Sequence, residues 1–139
     1  MNNDFPITIF HNRDCGTSRN TLAMLLAAGY EPNIVEYLSA GWTRAQLEGL
    51  LADMNLTPRA LLRDKGTSAA ELGLLGNDAQ DDAILDAMIR HPILVNRPIV
   101  VTPKGTKLCR PSEVVFVLLD RVPESFTKED GEVVRRDGY

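Results

Sequence analysis

The chain has 139 residues, of which 44% are hydrophobic and 24% charged, and its formal net charge at pH 7 is −4. This composition is typical of a soluble globular protein, and no apolar run approaches the roughly 18 residues that a membrane span requires. The acidic balance argues against a nucleic-acid-binding protein, and the start lacks a secretory signal pattern. We therefore expect a single domain over residues 1–139, a cytoplasmic monomer with no membrane or nucleic-acid partner.

The N-terminal part of the sequence predicts a strand, a helix and a second strand. Pro6–Phe10 is a short β-branched and aromatic run, Ser18–Ala28 has leucines at helical spacing, and Asn33–Leu38 is again apolar. Gly29 and Pro32 mark the stop between the helix and the second strand. Strand, helix and strand at this spacing form a βαβ unit, in which the two strands are parallel.

The segment over about 42–91 predicts a helical insertion. Capping boxes at Thr43–Gln46 and Ser68–Glu71 indicate two helix starts, and Thr57–Pro58 opens a short helix between them. Asn77–Arg90 has its apolar residues on one face and predicts a further helix, which His91–Pro92 ends.

Beyond the insertion, the sequence predicts two strands and a last helix. Pro98–Thr102 and Thr106–Cys109 flank a tight turn and form an antiparallel hairpin, and Pro111–Glu113 caps a helix over Val114–Leu119. The charged tail, about 123–139, predicts a solvated terminal helix or a frayed end. The order βαβ, helical insertion, ββα around a mixed sheet predicts an α/β protein with the thioredoxin-like fold.

Cys15 falls between the first strand and the first helix, where the thioredoxin-like fold carries its reactive thiol. Unpaired amides at a helix start stabilise a thiolate over a thiol. Lowering a thiol pKa by about two units needs roughly 2.7 kcal/mol, and a cation about 4 Å away supplies about 4 kcal/mol before screening. His11 and Arg19 are the local candidates for that cation. The polar neighbours of Cys15 argue against the alternative, an inert buried cysteine.

Ser18 occupies the position at which a two-cysteine oxidoreductase has its second sulfur. Its hydroxyl can donate a hydrogen bond to a thiolate, or cap the helix, but it cannot resolve a mixed disulfide. The second thiol must then come from another molecule. Cys109 lies in the second strand of the predicted hairpin and is interpreted as a core residue. Two such distant cysteines indicate neither a disulfide framework nor a metal site.

Three arginines end or interrupt segments that are otherwise apolar, and these are Arg63, Arg97 and Arg110. Such a setting favours a partly buried guanidinium that binds an anion, although a single arginine of this kind is more often part of a surface ion pair. Together the three predict an oxyanion pocket facing the thiol. Because thioredoxin-like folds place a cis-proline beside the active cysteine, we also predict a cis bond before Pro98.

Four ordered motifs make nearly the whole chain resemble the glutaredoxin-coupled arsenate reductases. The motifs are His11–Asn20, Arg59–Arg63, His91–Pro103 and Cys109–Val114, with a further likeness at Phe126–Gly131. The resemblance implies that the protein is an oxidoreductase that reduces arsenate to arsenite, with Cys15 as the nucleophile. It also implies that His11 helps to keep the thiol ionised, and that the arsenic oxyanion is bound by Arg63, Arg97 and Arg110.

The same resemblance implies glutathione as co-substrate and glutaredoxin as the partner that clears the mixed disulfide, with no metal and no bound cofactor. Family members usually have proline two positions before the cysteine, where this chain has Arg13. The phosphatase-like arsenate reductases differ, because they need an arginine where this chain has Thr21. Two alternatives remain. Ser18 argues against a redox-sensing regulator that binds RNA polymerase, and the three arginines argue against a thiol oxidoreductase or deglutathionylase without arsenate activity.

Overall fold

The computed structural model describes residues 4–136. The chain forms two compact units, of which the first ends at Glu36 and resumes at Arg97, and the second runs from Tyr37 to Asn96. Within residues 4–136, no helix is long and apolar enough to cross a membrane. The same residues contain no group of three or more His, Cys, Asp or Glu side chains that could hold a metal ion.

A four-stranded mixed sheet forms the centre of the first unit. Strands β1 (Thr8–His11) and β2 (Asn33–Glu36) are parallel and are connected by helix α1 (Gly16–Ala27). Strand β3 (Ile99–Thr102) is antiparallel to β1, and β4 (Gly105–Leu108) is antiparallel to β3. The strand order β2-β1-β3-β4 is that of the thioredoxin-like fold. The fold class predicted from the sequence is therefore confirmed.

The core of the first unit is made by side chains of the sheet, of α1 and of a 3-10 helix that follows β4. Helix α1 contacts both β1 and that 3-10 helix. Cys109 is fully buried in this core, as its sequence setting predicts. The buried core residues are Ile7, Ile9, Met24, Leu25, Ala28, Tyr30, Val100, Cys109, Val115, Phe116, Leu118, Leu119 and Val134.

The second unit contains four α-helices and one short 3-10 helix. They are α2 (Tyr37–Ala40), α3 (Arg44–Met54), α4 (Pro58–Leu61), α5 (Asp81–Arg90) and the 3-10 helix Pro92–Leu94. The capping box predicted at the start of α3 is present, because the Gln46 amide donates to Thr43 Oγ1 and the Thr43 amide donates to Gln46 Oε1. The short helix predicted after Thr57 is α4.

Three sequence-based predictions in this unit are wrong. The strand predicted over Asn33–Leu38 ends at Glu36, since Tyr37 is buried in the second unit and its hydroxyl donates to the Val95 carbonyl at 3.4 Å. The predicted capping box at Ser68–Glu71 begins no helix but a single turn, which ends at Gly73 in the left-handed conformation at φ +73°.

The third error is the start of α5, predicted at Asn77 and observed at Asp81. The guanidinium of Arg59 donates to the carbonyl oxygens of Gly76, at 2.8 Å, and Ala79, at 3.1 Å. Both carbonyls accept from the Arg59 side chain, and that of Gly76 accepts as well from the Ala79 amide in a turn at 3.3 Å. The helix begins after them.

The C-terminal elements also differ from prediction. The helix predicted over Val114–Leu119 is a 3-10 helix, Ser112–Leu118, in a segment whose β-branched valines disfavour the α-helix. The tail forms a hairpin of β5 (Ser125–Thr127) and β6 (Val133–Arg135) instead of a helix or a frayed end. Phe126 pairs with Val134 in that hairpin, and both pack against the core. The many charged residues of the tail made the strand pattern around Phe126 and Val134 hard to recognise in the sequence.

An ion pair attaches the hairpin turn to the rest of the first unit. Lys128 Nζ lies 2.7 Å from Glu113 Oε1, and the two side chains are only 9% and 12% exposed. Burial by itself raises the pKa of Glu113, but the ion pair with Lys128, together with hydrogen bonds from the Glu113 amide and the Ser112 side chain, outweighs it, so that the pKa lies below its ordinary value. The ion pair therefore stabilises the fold at pH values at which the carboxyl is ionised.

We predict that Lys128→Met lowers the free energy of unfolding at pH 7 by roughly 1–2 kcal/mol. The substitution leaves the mostly buried Glu113 carboxylate, which lies near the surface, without its cation. Urea unfolding measures the loss, and Lys65→Met at an exposed loop position is the matched control. The difference from wild type should shrink as the pH falls below 4.5 and through the lowered pKa of Glu113, since protonation of Glu113 removes the ion pair in the wild type and the unpaired charge in the variant. Equal stabilities at pH 7 would contradict this role.

Candidate active site

Cys15 is the N-cap residue of α1. Its backbone is extended, at φ −103° and ψ 121°, and its carbonyl accepts the first helical hydrogen bond from the Arg19 amide at 2.9 Å. An N-cap side chain faces the amides of the first turn, which have no partner within the helix. The Cys15 side chain makes no capping hydrogen bond, but the backbone amide of Ser18 stabilises the thiolate and lowers the pKa of Cys15. The sulfur thus lies at the end of the helix where a negative charge is stabilised.

Two arginines reach the sulfur. Arg110 Nη1 lies 3.8 Å from Cys15 Sγ and donates to the Arg97 carbonyl at 2.9 Å. The Arg97 side chain also hydrogen-bonds to Cys15, and this arginine is 9% exposed. Burial raises the pKa of Cys15, but the Ser18 amide and the guanidinium groups of Arg97 and Arg110 together outweigh it and hold the pKa below 9.0.

The Ser18 hydroxyl braces the loop before the cysteine. Its oxygen lies 2.6 Å from His11 Nδ1 and accepts a hydrogen bond from the Asn12 amide at 3.0 Å. His11 and Ser18 are both buried. Burial lowers the pKa of His11, and Arg13 and Arg19 add to this effect while Glu36 opposes it. At neutral pH His11 is therefore mostly uncharged and contacts the site through Ser18.

The loop Asn12–Asp14, here named the thiol loop, has further internal bonds. The Cys15 amide donates to the Asn12 carbonyl at 3.0 Å, and the Asp14 amide donates to Asn12 Oδ1 at 2.9 Å. Arg13 extends away and makes a two-pronged pair with Glu36, its Nε and Nη2 lying 2.8 and 2.9 Å from the carboxylate oxygens. The loop is thereby connected to the end of β2.

Arg19 is engaged by a carboxylate rather than by the sulfur. Its Nε and Nη2 donate to Glu129 at 2.9 and 3.0 Å, and its Nη1 donates to the Arg13 carbonyl at 2.9 Å. Glu129 is the main cause of the raised pKa of Arg19, and the Cys15 charge contributes less.

The structure thus brings Cys15, His11, Ser18, Arg97 and Arg110 together in the first unit. Arg63 lies in the second unit, where its amide donates to the Leu94 carbonyl at 2.7 Å. Both arginines that reach the sulfur precede a cis peptide bond, one at Pro98 and one at Pro111.

Sequence reasoning missed three residues of this site, Asn12, Glu36 and Glu129. A signal for the first two existed, because Asn commonly forms turns with its own side chain and because the C-terminal ends of parallel strands meet at one edge. His11 and Glu36 are indeed paired in register. Glu129 is 110 positions from Arg19, and no local pattern could indicate that contact.

Cys109 is not part of this site. Its side chain is fully buried, and burial raises its pKa to about 12. Both cysteines are free thiols. At neutral pH only Cys15 combines a helix N-cap, two cations and a lowered pKa, which are the properties of a nucleophilic thiol.

Comparison with known proteins gives a consistent result. A family model described as the ArsC family matches residues 10–117. Proteins named arsenate reductase are 59% identical over 129 residues in Synechocystis sp. and 55% identical over 129 residues in Escherichia coli K12, each alignment covering 92% of both chains. The solved structure of an arsenate reductase from Vibrio cholerae aligns with a TM-score of 0.78 at 36% identity, covering 83% of this chain and 98% of that one.

We predict that Arg110→Met raises the pKa of Cys15, because the thiolate loses one of its hydrogen-bond donors. The rate of alkylation by iodoacetamide follows the thiolate fraction, so its pH midpoint should be higher than in wild type. At neutral pH the rate should be lower by up to about tenfold. Arg90→Met, an exposed position in the second unit, is the control. Cys15→Ser should abolish alkylation of the native protein. Labelling of Cys109 under these conditions would refute the assignment of the reactive thiol.

Proposed function

Because the chain belongs to the ArsC family, we propose that it reduces arsenate to arsenite with Cys15 as the nucleophile. The observation that carries this proposal is the sulfur at the N-cap of α1, which has a lowered pKa and two guanidinium groups beside it. These groups suit a tetrahedral oxyanion, since a thiolate can attack its central atom and two guanidinium groups can neutralise its charge.

In the first step the Cys15 thiolate attacks arsenic(V), and an As–S bond forms while an oxygen leaves as hydroxide or, once protonated, as water. Negative charge on the arsenic oxygens must be offset as the adduct forms. Arg110 and Arg97 both reach the sulfur and supply that charge. We assign to them the binding of the oxyanion.

The second step needs a thiol from outside the chain. Ser18 offers no sulfur, and Cys109 is buried with a pKa of about 12. We propose glutathione as this thiol. Its sulfur bonds to the Cys15 sulfur, each of the two thiols gives up one electron, and arsenic(V) takes both electrons and leaves as arsenic(III). Glutaredoxin then exchanges thiols with the mixed disulfide and frees Cys15.

The remaining sequence predictions have unequal support. His11 and Ser18 are placed to hold the thiol loop in the geometry that exposes the sulfur to the helix amides. Arg19 acts through the same loop, since its guanidinium is taken by Glu129 and by the Arg13 carbonyl. Arg63 rests on its sequence motif alone.

The proposed reaction uses no metal ion or bound cofactor, because both electrons come from thiols. A free thiolate and a supply of glutathione require a reducing compartment such as the cytoplasm. All the groups named for the reaction lie on one chain, so a monomer suffices. The named relatives favour arsenate reduction over a regulator that binds RNA polymerase and over a thiol oxidoreductase without arsenate activity.

We predict arsenate-dependent oxidation of NADPH by the wild type in an assay coupled through glutathione, glutaredoxin and glutathione reductase. Cys15→Ser should remove this activity, and Arg97→Ala and Arg110→Ala should each lower turnover by on the order of 10²-fold, as for the loss of one oxyanion donor. Arg90→Ala is the matched control. A wild type without activity, beside an active arsenate reductase, would refute the proposed function, and full activity of Arg63→Ala would remove Arg63 from the mechanism.

We also predict that glutathione accumulates on Cys15 when glutaredoxin is omitted, because nothing then clears the mixed disulfide. Mass spectrometry of the protein after one turnover should show one glutathione on Cys15 and none on Cys109. Cys109→Ser should turn over at the wild-type rate, since its pKa of about 12 keeps it protonated. A disulfide between Cys15 and Cys109 would contradict the proposed external thiol.

A further inference from the structure

The turn of the C-terminal hairpin, Lys128–Glu132, contacts the start of α1. The Glu129 carboxylate accepts from Nε and Nη2 of Arg19 at 2.9 and 3.0 Å, and the Glu129 amide donates to Asn20 Oδ1 at 3.0 Å. These contacts fall on the two residues that lie four and five positions after Cys15. No step of the reaction proposed above uses Glu129.

The geometry of the guanidinium extends this contact to the thiol loop. A guanidinium is planar, and its nitrogens form a rigid fork. When a carboxylate holds Nε and Nη2, the direction of Nη1 is fixed as well. In Arg19 that third nitrogen donates to the carbonyl of Arg13 at 2.9 Å, two residues before Cys15.

We propose that Glu129 is a positioning residue for Cys15, which holds Arg19 so that Arg19 fixes the Arg13 carbonyl and with it the thiol loop. The inference rests on the proposed function, since it concerns how the nucleophile of that reaction is placed. The hydrogen bonds of Glu129 go to Arg19 and Asn20. It acts through Arg19.

The turn that carries Glu129 is itself well fixed. The Lys128 amide donates to the Glu132 carbonyl at 2.8 Å, and the Gly131 amide donates back to the Lys128 carbonyl at 2.9 Å. Gly131 has φ +95°, a conformation that suits glycine. The mostly buried ion pair between Lys128 and Glu113 anchors the turn. The position of Glu129 is therefore fixed, and its carboxylate can hold the Arg19 guanidinium in place.

Glu113 extends the effect to the other side of the site. It lies three residues after Arg110, in the first turn of the 3-10 helix Ser112–Leu118. One hairpin turn thus binds the segment after Arg110 through Lys128 and the helix start after Cys15 through Glu129. Arg110, a hydrogen-bond donor to the sulfur, and Cys15, the nucleophile, are thus connected through the same turn.

Two other roles for Glu129 make different predictions. If Glu129 only cancels the charge of Arg19, any cation at position 19 should work equally well. If the pair only stabilises the fold, its loss should weaken protection against hydrogen exchange throughout the first unit. A positioning role affects the thiol loop and the reaction, and it requires the fork of arginine rather than its charge.

The test uses Glu129→Gln, which keeps the shape and removes the charge, and Arg19→Lys, which keeps the charge and removes the fork. In both variants we expect faster deuterium exchange in peptides covering Asn12–Cys15, and kcat for arsenate lower by about two- to fivefold, the range of exposed ion pairs. The KM for arsenate should not change, because Arg97 and Arg110 are untouched. The double variant should lose no more than the worse single one.

Glu48→Gln is the matched control, because Glu48 also pairs with an arginine and is 55% exposed against 50% for Glu129. Wild-type kcat and loop exchange in Glu129→Gln would overturn the proposal. The proposal would also be overturned if Arg19→Lys kept the wild-type kcat while Glu129→Gln lost activity. Deuterium exchange that rises equally across the whole first unit would overturn it as well. Exchange in the thiol loop and alkylation of Cys15 need no arsenate, so a wild type inactive on arsenate would refute the proposed function and leave this inference open to its own test.

Discussion

The stabilisation of the Cys15 thiolate by the Ser18 amide is the interaction on which the site depends. Burial of Cys15 favours the neutral thiol, and the pKa nevertheless lies below its ordinary value. The amide can have this effect because Cys15 occupies the N-cap, where first-turn amides lack helical partners. The thiol loop comes directly before Cys15, and its hydrogen bonds fix the direction in which the chain enters the helix. The bonds within the loop are for this reason part of the chemistry.

The four arginines around Cys15 are of two kinds. Arg13 and Arg19 each face a glutamate carboxylate in two-pronged geometry, and both lie within four residues of Cys15 in sequence. Arg97 and Arg110 come from the segments that flank the hairpin of β3 and β4, and they reach the sulfur itself. The two arginines near Cys15 in sequence are therefore engaged by carboxylates, and two that are distant in sequence reach the sulfur.

This division explains which parts of the site the sequence could predict. The position of Cys15, the order of the strands and the mixed sheet follow from short patterns, namely a helix start and alternating apolar runs. The assignment of Arg19 as a cation for the thiolate used nearness along the chain, and the carboxylate that engages Arg19 lies on the last hairpin. The start of α5 in the second unit was predicted wrongly, because the side chain of Arg59, which is distant in sequence, donates to the carbonyl groups before it. Contacts between distant residues have no local signature.

Arg13 occupies the position at which the family resemblance implies a proline. Proline at this position, as the family resemblance implies, fixes the backbone through its ring. In this chain the Arg13 side chain is held by Glu36 and its carbonyl by Arg19, so that two ion-paired groups fix the same residue from two sides. Both pairs are solvent-exposed. Exposed charge pairs weaken as salt screens them, whereas a proline ring does not respond to salt. The order of the thiol loop, and hence the reactivity of Cys15, should depend on ionic strength in this chain more than in a relative with proline.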